Sequence, residues 1–168
     1  MDITIRHARD EELDQIGELT AQVYLADGLL DFGNSDSYLA TLRDARRRAT
    51  EAELLVAADA ASDEVLGSVA FAVHGEAYAD LARPGEGEFR MLAVRPASRR
   101  RGAAEALVRA CLDRARELGL ERVVISSQQS MTAAHRLYGR LGFVRAPERD
   151  WSPLADTGMM LWAFTVEL

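Results

Sequence analysis

The chain is short of the residues that staple a fold, span a membrane or bind a metal. Of its 168 residues only Cys111 is a cysteine, which excludes an internal disulfide and suits a reducing compartment. No apolar run approaches the length of a membrane span, so no membrane partner is expected. The start, Met1-Asp2-Ile3-Thr4-Ile5-Arg6, alternates like a strand and lacks a signal peptide's apolar segment, which makes the cytoplasm the expected location. The three histidines, His7, His74 and His135, show no metal spacing, and one cysteine cannot complete a zinc cluster. No metal is therefore expected. An excess of positive charge is missing too: twenty basic residues against twenty-seven acidic ones leave a net charge of −7. That argues against a nucleic-acid partner, which requires a basic face. Phosphate-binding glycine motifs are also absent. Gly85-x-Gly87 precedes its strand instead of following it, and no Gly-x-x-x-x-Gly-Lys-Ser/Thr loop exists. With no repeat or linker, a single domain over residues 1–168 is expected.

What is present reads as alternating strands and helices. Ile3 and Ile5 predict a first strand, and Asp10 is placed to cap a helix carrying Leu13, Ile16, Leu19 and Val23. Residues 27–36 form a break, and one further helix is expected with Tyr38, Leu39, Leu42 and Ala45. Arg46 to Arg48 fall in its polar pattern and read as a solvated face. Leu54–Ala58 and Val65–Val73 form a hairpin-like pair. A longer loop from His74 to Gly87 leads to a strand at Glu88–Val94. The next helix sets Ala104, Leu107, Val108, Cys111, Ala115 and Leu118 on one face, with Gly119 as its C-cap. Cys111 on that stripe reads as a buried small hydrophobe. Val123-Val124-Ile125 is a buried strand. Ser130 is placed to cap a short helix with Met131, Ala134, Leu137, Tyr138 and Leu141, ended by Gly142. Phe143-Val144 and Met160–Leu168 are closing strands, joined by a loop with Trp151 and Pro153. The order βααβββαβαββ describes a mixed α/β (α+β) sheet domain.

The most informative stretch is Met91-Leu92-Ala93-Val94-Arg95-Pro96-Ala97-Ser98-Arg99-Arg100-Arg101-Gly102-Ala103-Ala104. A short apolar strand, a loop stopped by Pro96 and a small-residue helix start follow one another. A helix N-terminus presents unpaired N–H groups to an anion. Three arginines add charge, and Gly102 with two alanines admits a bulky ligand close to the backbone. This is a site built for a pyrophosphate-bearing ligand.

Arg99-x-x-Gly102-x-Ala104 after Leu92-Ala93-Val94, followed downstream by Ala134-x-x-Leu137-Tyr138-x-x-x-Gly142-Phe143, resembles the GNAT superfamily of acyl-CoA-dependent N-acyltransferases. The resemblance covers the C-terminal third closely and the flanking elements loosely. It implies a mostly antiparallel central sheet with splayed central strands, flanked by about four helices. It also implies acetyl-CoA as co-substrate, held by the backbones of Leu92, Ala93 and Val94 and by Arg99, Arg100, Arg101, Gly102, Ala103 and Ala104. Many members carry Asn where this chain has Met131, a contact to the coenzyme's pantetheine arm. Ser127, Gln128 and Ser130 stand nearby as substitutes.

By the same resemblance Tyr138 is the general acid that protonates the leaving thiolate, since a thiol near pKa ~8.5 and a phenol near ~10 are matched for proton transfer. Taken alone, Tyr138 would read as an aromatic filling the helix's apolar face. The resemblance likewise implies Glu88 as the general base, acting directly or through water; an amine of pKa ~10.4 is only about a thousandth neutral at pH 7, so a base is useful. A surface carboxylate at a strand end is the competing reading, and Glu86 is the fallback base. His135 could neighbour Tyr138 but reads as surface. The acceptor is a primary amine of a small molecule or peptide, and members often dimerise, so a homodimer is allowed. Leu25–Tyr38, His74–Gly87 and Ala146–Met159, the regions expected to choose the acceptor, match no motif. Two rivals remain open: a non-catalytic acyl-CoA-binding sensor or interaction module, and a purely structural partner protein.

Overall fold

The computed structural model describes residues 2–30, 33–153 and 160–168. Residues 31–32 and 154–159, inside two of the stretches expected to choose the acceptor, lie outside them. One sheet of seven strands runs β1-β2-β3-β4-β5-β7-β6. The elements in chain order are β1 (Ile3–His7), α1 (Leu13–Ala26), α2 (Tyr38–Arg43), α3 (Ala45–Glu51), β2 (Glu53–Asp59), β3 (Val65–Val73), β4 (Glu86–Val94), α4 (Ala103–Glu117), β5 (Arg122–Ser127), α5 (Thr132–Arg140), β6 (Val144–Arg145) and β7 (Trp162–Glu167). Every neighbouring pair is antiparallel except β4 with β5, which α4 connects. The mostly antiparallel, mixed sheet implied by the resemblance is the one observed.

Helices cover both faces, so β2 and β3 are buried almost throughout and their sequences are continuous apolar runs rather than alternating ones. On one face α4 lays Leu107, Val108, Cys111 and Ala115, all fully buried, against Phe71, Phe89, Val123 and Ile125. On the other, Leu13, Ile16 and Val23 of α1 cover Leu54, Val56 and Ala93. Among the described residues no helix is long and apolar enough to cross a membrane.

Several local expectations are corrected. Asp10 lies inside a short 3-10 turn, Asp10–Glu12, and does not cap α1; Glu12 instead reaches back to the Arg9 amide at 2.9 Å. The single helix expected after the break is two. Asp44 interrupts it at φ −85°, ψ 66° and caps α3 by accepting the Arg47 N–H at 3.0 Å. An Asp side chain competes for backbone N–H groups, which favours a cap over a helix interior. The break turns Arg48 inward: it is buried, donating from Nη1 to the Thr41 carbonyl at 2.9 Å, while only Arg46 and Arg47 remain a solvated face. Leu118, assigned to the apolar stripe, is 42% exposed because α4 ends one residue before it. The α5 cap position is Met131, not Ser130, and no side chain caps that helix. β4 starts at Glu86, two residues before the expected strand.

β4 carries a bulge beside the site. Ser68 pairs with Ala93 and Ala70 with Arg90, so Val69 alone opposes both Met91 and Leu92. Met91 adopts φ +55°, a left-handed conformation that costs energy for a side-chain-bearing residue. Across the ladder only glycine fits at position 67, where a Cβ would stand 2.7 Å from the Ala93 carbonyl oxygen. β4 has parted from β5 before the bulge is reached. It pairs with β5 only at Glu86–Arg122, Gly87–Val123 and Glu88–Val124, and the strands then splay.

Candidate active site

The splay opens a cleft of about 460 Å³. Phe89, Arg90, Met91 and Leu92 of β4 line one side, Ser126 and Ser127 of β5 the other, and Met131 and Tyr138 contribute from the region of α5. Tyr24, Tyr38, Asp80 and Trp151 close it from more distant parts of the chain. Leu92 lines the cleft, whereas Ala93 packs into the core under α1 and Val94 into the core under α4. What these last two offer to the cleft is backbone. Past Glu88 that backbone edge has no β5 partner, and unpaired N–H and C=O groups require one.

Glu88 is no surface carboxylate. It is 1% exposed, and its Oε1 accepts the N–H groups of Leu81 at 2.8 Å and Ala82 at 2.9 Å. Both contacts fall on Oε1, and among the described residues Oε2 accepts no hydrogen bond. Burial pushes its pKa up to about 7; the two amides and nearby Arg90 oppose that only in part. Glu86, the fallback base, is excluded from that role. It sits in a buried cluster, accepting from Arg149 at 2.7 and 2.9 Å, from Arg122 at 2.9 Å and from the Arg83 amide at 2.9 Å. Burial alone would raise it, but these partners outweigh burial and hold it at about 2. A carboxylate so engaged accepts no proton near neutral pH.

Tyr138 reaches the cleft from α5, and its ring is packed among Phe89, Phe143 and Phe164 at centroid distances of 5.9, 5.7 and 6.0 Å. Burial raises its pKa, so the hydroxyl is protonated near neutral pH but is a weaker acid than the near match to a thiol expected from the sequence. His135 is not at the surface. It is half-buried, tilts against Phe164 at 4.9 Å and shares a hydrogen bond with Ser127 Oγ at 3.0 Å. Ser127 Oγ also donates to the Met131 sulfur at 3.6 Å, and Gln128 Nε2 donates to the Leu29 carbonyl at 2.9 Å.

At the far end the chain turns through Pro96–Arg101, and α4 then opens at Gly102, with φ +81° and no capping side chain. Glycine adopts that left-handed geometry without strain. The arginine run is divided: Arg99 pairs with Asp27 at 2.7 Å, and Arg101 with Asp2 at 2.9 Å and Asp59 at 2.8 Å. Arg100 is exposed and has no ion pair among the described residues. The charge and the uncapped N–H groups therefore converge on one short stretch. No cluster of metal-ligating side chains forms among the described residues.

The sequence profile of the acetyltransferase (GNAT) family matches residues 14–143, most of the chain. The chain belongs to the GNAT acetyltransferase family. A GNAT acetyltransferase from Staphylococcus aureus Mu50 superposes with a TM-score of 0.75 at 11% identity, over 99% of each chain. The YncA protein of Salmonella typhimurium, solved with its cofactor acetyl-CoA, gives 0.71 at 19% identity over 100% of this chain and 95% of that one. PaiA N-acetyltransferase from Thermoplasma acidophilum, solved with coenzyme A, gives 0.71 at 13% identity over 100% of both chains. At these identities the likeness is one of fold. No curated protein matches the chain by sequence.

Within this GNAT fold, sequence reasoning missed Arg90 and Tyr24 as cleft residues, while Tyr38 and Asp80 fall in stretches expected to choose the acceptor without having been singled out. Arg90 donates to Asp80 at 2.7 Å and to the Tyr38 hydroxyl at 3.3 Å. The spacing of Glu88 and Arg90 along one strand could have found Arg90, since alternate residues share a face. Nothing local marks the other three, which come from α1, α2 and the loop before β4.

Proposed function

We propose that this GNAT protein, as one domain over residues 1–168, transfers an acetyl group from acetyl-CoA to a primary amine of a small molecule or peptide. The observation that carries the reading is the opening between β4 and β5 just past the buried Glu88 carboxyl, on the strand whose chain runs on through Pro96–Arg101 into the uncapped start of α4. The free edge at Leu92, Ala93 and Val94 suits the amides of a pantetheine arm, in the manner of strand addition. The N–H groups from Arg99 to Ala104, with the Arg100 guanidinium, suit a pyrophosphate.

In this reading the amine nitrogen bonds the acyl carbon directly, and the Val94 N–H stabilises the oxyanion that develops. Glu88 lies behind the cleft wall, so it takes the amine's proton through a water. The C–S bond breaks and Tyr138 donates its hydroxyl proton to the departing thiolate. Solvent then reprotonates Tyr138 and removes the proton from Glu88. Holding both substrates in one cleft supplies much of the acceleration.

Acetyl-CoA at a hundredfold excess over its Kd is expected to stabilise the protein by about 2.7 kcal/mol. That is a rise in Tm of roughly 5–10 °C for a domain of this size. Adding an accepted amine is expected to release free thiol. A melting curve unmoved by acetyl-CoA, with no thiol released, overturns the reading. The chain contains no lysine, so acetylation of its own side-chain amines does not complicate the assay. Tyr138→Phe is expected to lower kcat about a hundredfold while leaving the Kd for acetyl-CoA unchanged, as followed by thiol release and calorimetry. An unchanged kcat removes Tyr138 from the mechanism.

A further inference from the structure

We propose that the acceptor is a primary monoamine carried on an aromatic or comparably broad apolar body, which lodges among Tyr24, Tyr38 and Trp151. The inference rests on the reading of Glu88 as the base and deepens it. Strand register sets the level of these rings. Glu88 pairs with Val124 in parallel, so Arg90 on β4 and Ser126 on β5 stand level with one another where the strands have parted. Tyr38 is tied to Arg90 by its hydroxyl at 3.3 Å, and the Tyr24 ring meets Tyr38 edge-on with centroids 6.4 Å apart. From the other strand, Ser126 Oγ accepts the Trp151 indole N–H at 2.8 Å. The three rings therefore flank the interval past Glu88 where the edge of β4 has lost its β5 partner. That interval is where an amine must meet a thioester, and whatever the amine is attached to must pass between these rings.

Charge narrows the class further. Asp36, Asp80 and Arg90 are the charged side chains lining the cleft among the described residues. Arg90 is committed to Asp80 at 2.7 Å, which leaves no spare cation to receive a carboxylate or phosphate on the acceptor. Asp80 is spent in the same pair, so a single ammonium is drawn to the ring faces. A second ammonium, held over Leu29, Leu30 or Leu161, would be desolvated against apolar walls. Rings receive an apolar body with little loss of side-chain freedom and add to the burial term through ring contacts.

The test measures thiol release from acetyl-CoA with 2-phenylethylamine, hexylamine, spermidine, glutamate and kanamycin, alongside melting curves with acetyl-CoA alone. The expected result is a kcat/KM for 2-phenylethylamine about tenfold or more above spermidine, glutamate and kanamycin. Equal or higher values for any of those three overturn the acceptor assignment and leave the transferase reading intact. Acetyl-CoA binding without turnover on any amine overturns the acceptor assignment and the transfer step together. The absence of acetyl-CoA binding overturns the donor reading on which both depend. Tyr24→Leu and Trp151→Leu are expected to raise the KM for 2-phenylethylamine about tenfold while the KM for acetyl-CoA stays within about twofold. A rise confined to the KM for acetyl-CoA would assign the rings to the donor arm and overturn the proposal.

Discussion

Replacing Glu88 by glutamine is expected to lower kcat/KM about a hundredfold or more and to abolish its rise through pH 7. The wild-type profile should climb as the carboxyl, pushed up to about 7 by burial, loses its proton and becomes a base. Glutamine preserves the shape and keeps an oxygen for the Leu81 and Ala82 amides at 2.8 and 2.9 Å, so the loss is one of proton transfer rather than of architecture. Stability should move the other way. A carboxyl whose folded pKa is raised above its unfolded value stabilises the fold below that unfolded value, and the contribution is lost as pH rises through 7. Glu88→Gln should therefore melt higher than wild type at pH 9 and close to it at pH 4. A variant with an intact pH profile would return Glu88 to a purely structural role.

Glu86, two residues earlier on the same strand, should give the largest loss of stability. Glu86→Gln leaves the Arg149 guanidinium buried with no carboxylate, and breaking a buried pair in this way costs about 3–5 kcal/mol. Arg149 is only 7% exposed, and its Nε already lacks a hydrogen-bond partner. The expected drop in Tm is on the order of 10 °C. Arg149→Met should cost less, because Glu86 keeps Arg122 at 2.9 Å and the Arg83 amide at 2.9 Å. The pH dependence follows from the depressed pKa. Stabilisation by the carboxylate is present above its unfolded value near 4.5 and is lost as pH falls through about 2. The gap between wild type and Glu86→Gln should accordingly be wide at pH 7 and close in strong acid. Equal melting temperatures at pH 7 would show that the cluster does not hold the β4–β5 junction together.

Glu86 and Glu88 also show where sequence reading stops. Both are glutamates on one face of one strand, and the family resemblance favoured Glu88 without excluding Glu86. What separates them is their partners: Arg149 and Arg122 arrive from beyond β6 and from β5, while Leu81 and Ala82 give only neutral amides. Arg48 failed for a related reason. A run of three arginines reads as solvated, yet the Asp44 break rotates its last member beneath α1. Helical stripes fared better. Leu107, Val108, Cys111 and Ala115 are spaced by the helix itself and needed no tertiary information to be placed.

The chain carried in short segments the order of its strands, the helix that opens after Gly102, the tyrosine on α5 and its family membership. These depend on backbone geometry and side-chain spacing within a few residues, where local sterics and hydrogen bonding decide. The bulge at Met91, the splay of β4 from β5 and the contrasting surroundings of two glutamates arose only on folding. So did the ring of Tyr24, Tyr38 and Trp151 around Arg90. Each depends on groups far apart in the chain, and burial, which sets both proton affinity and the cost of an unpaired charge, is a property of packing that no single segment possesses.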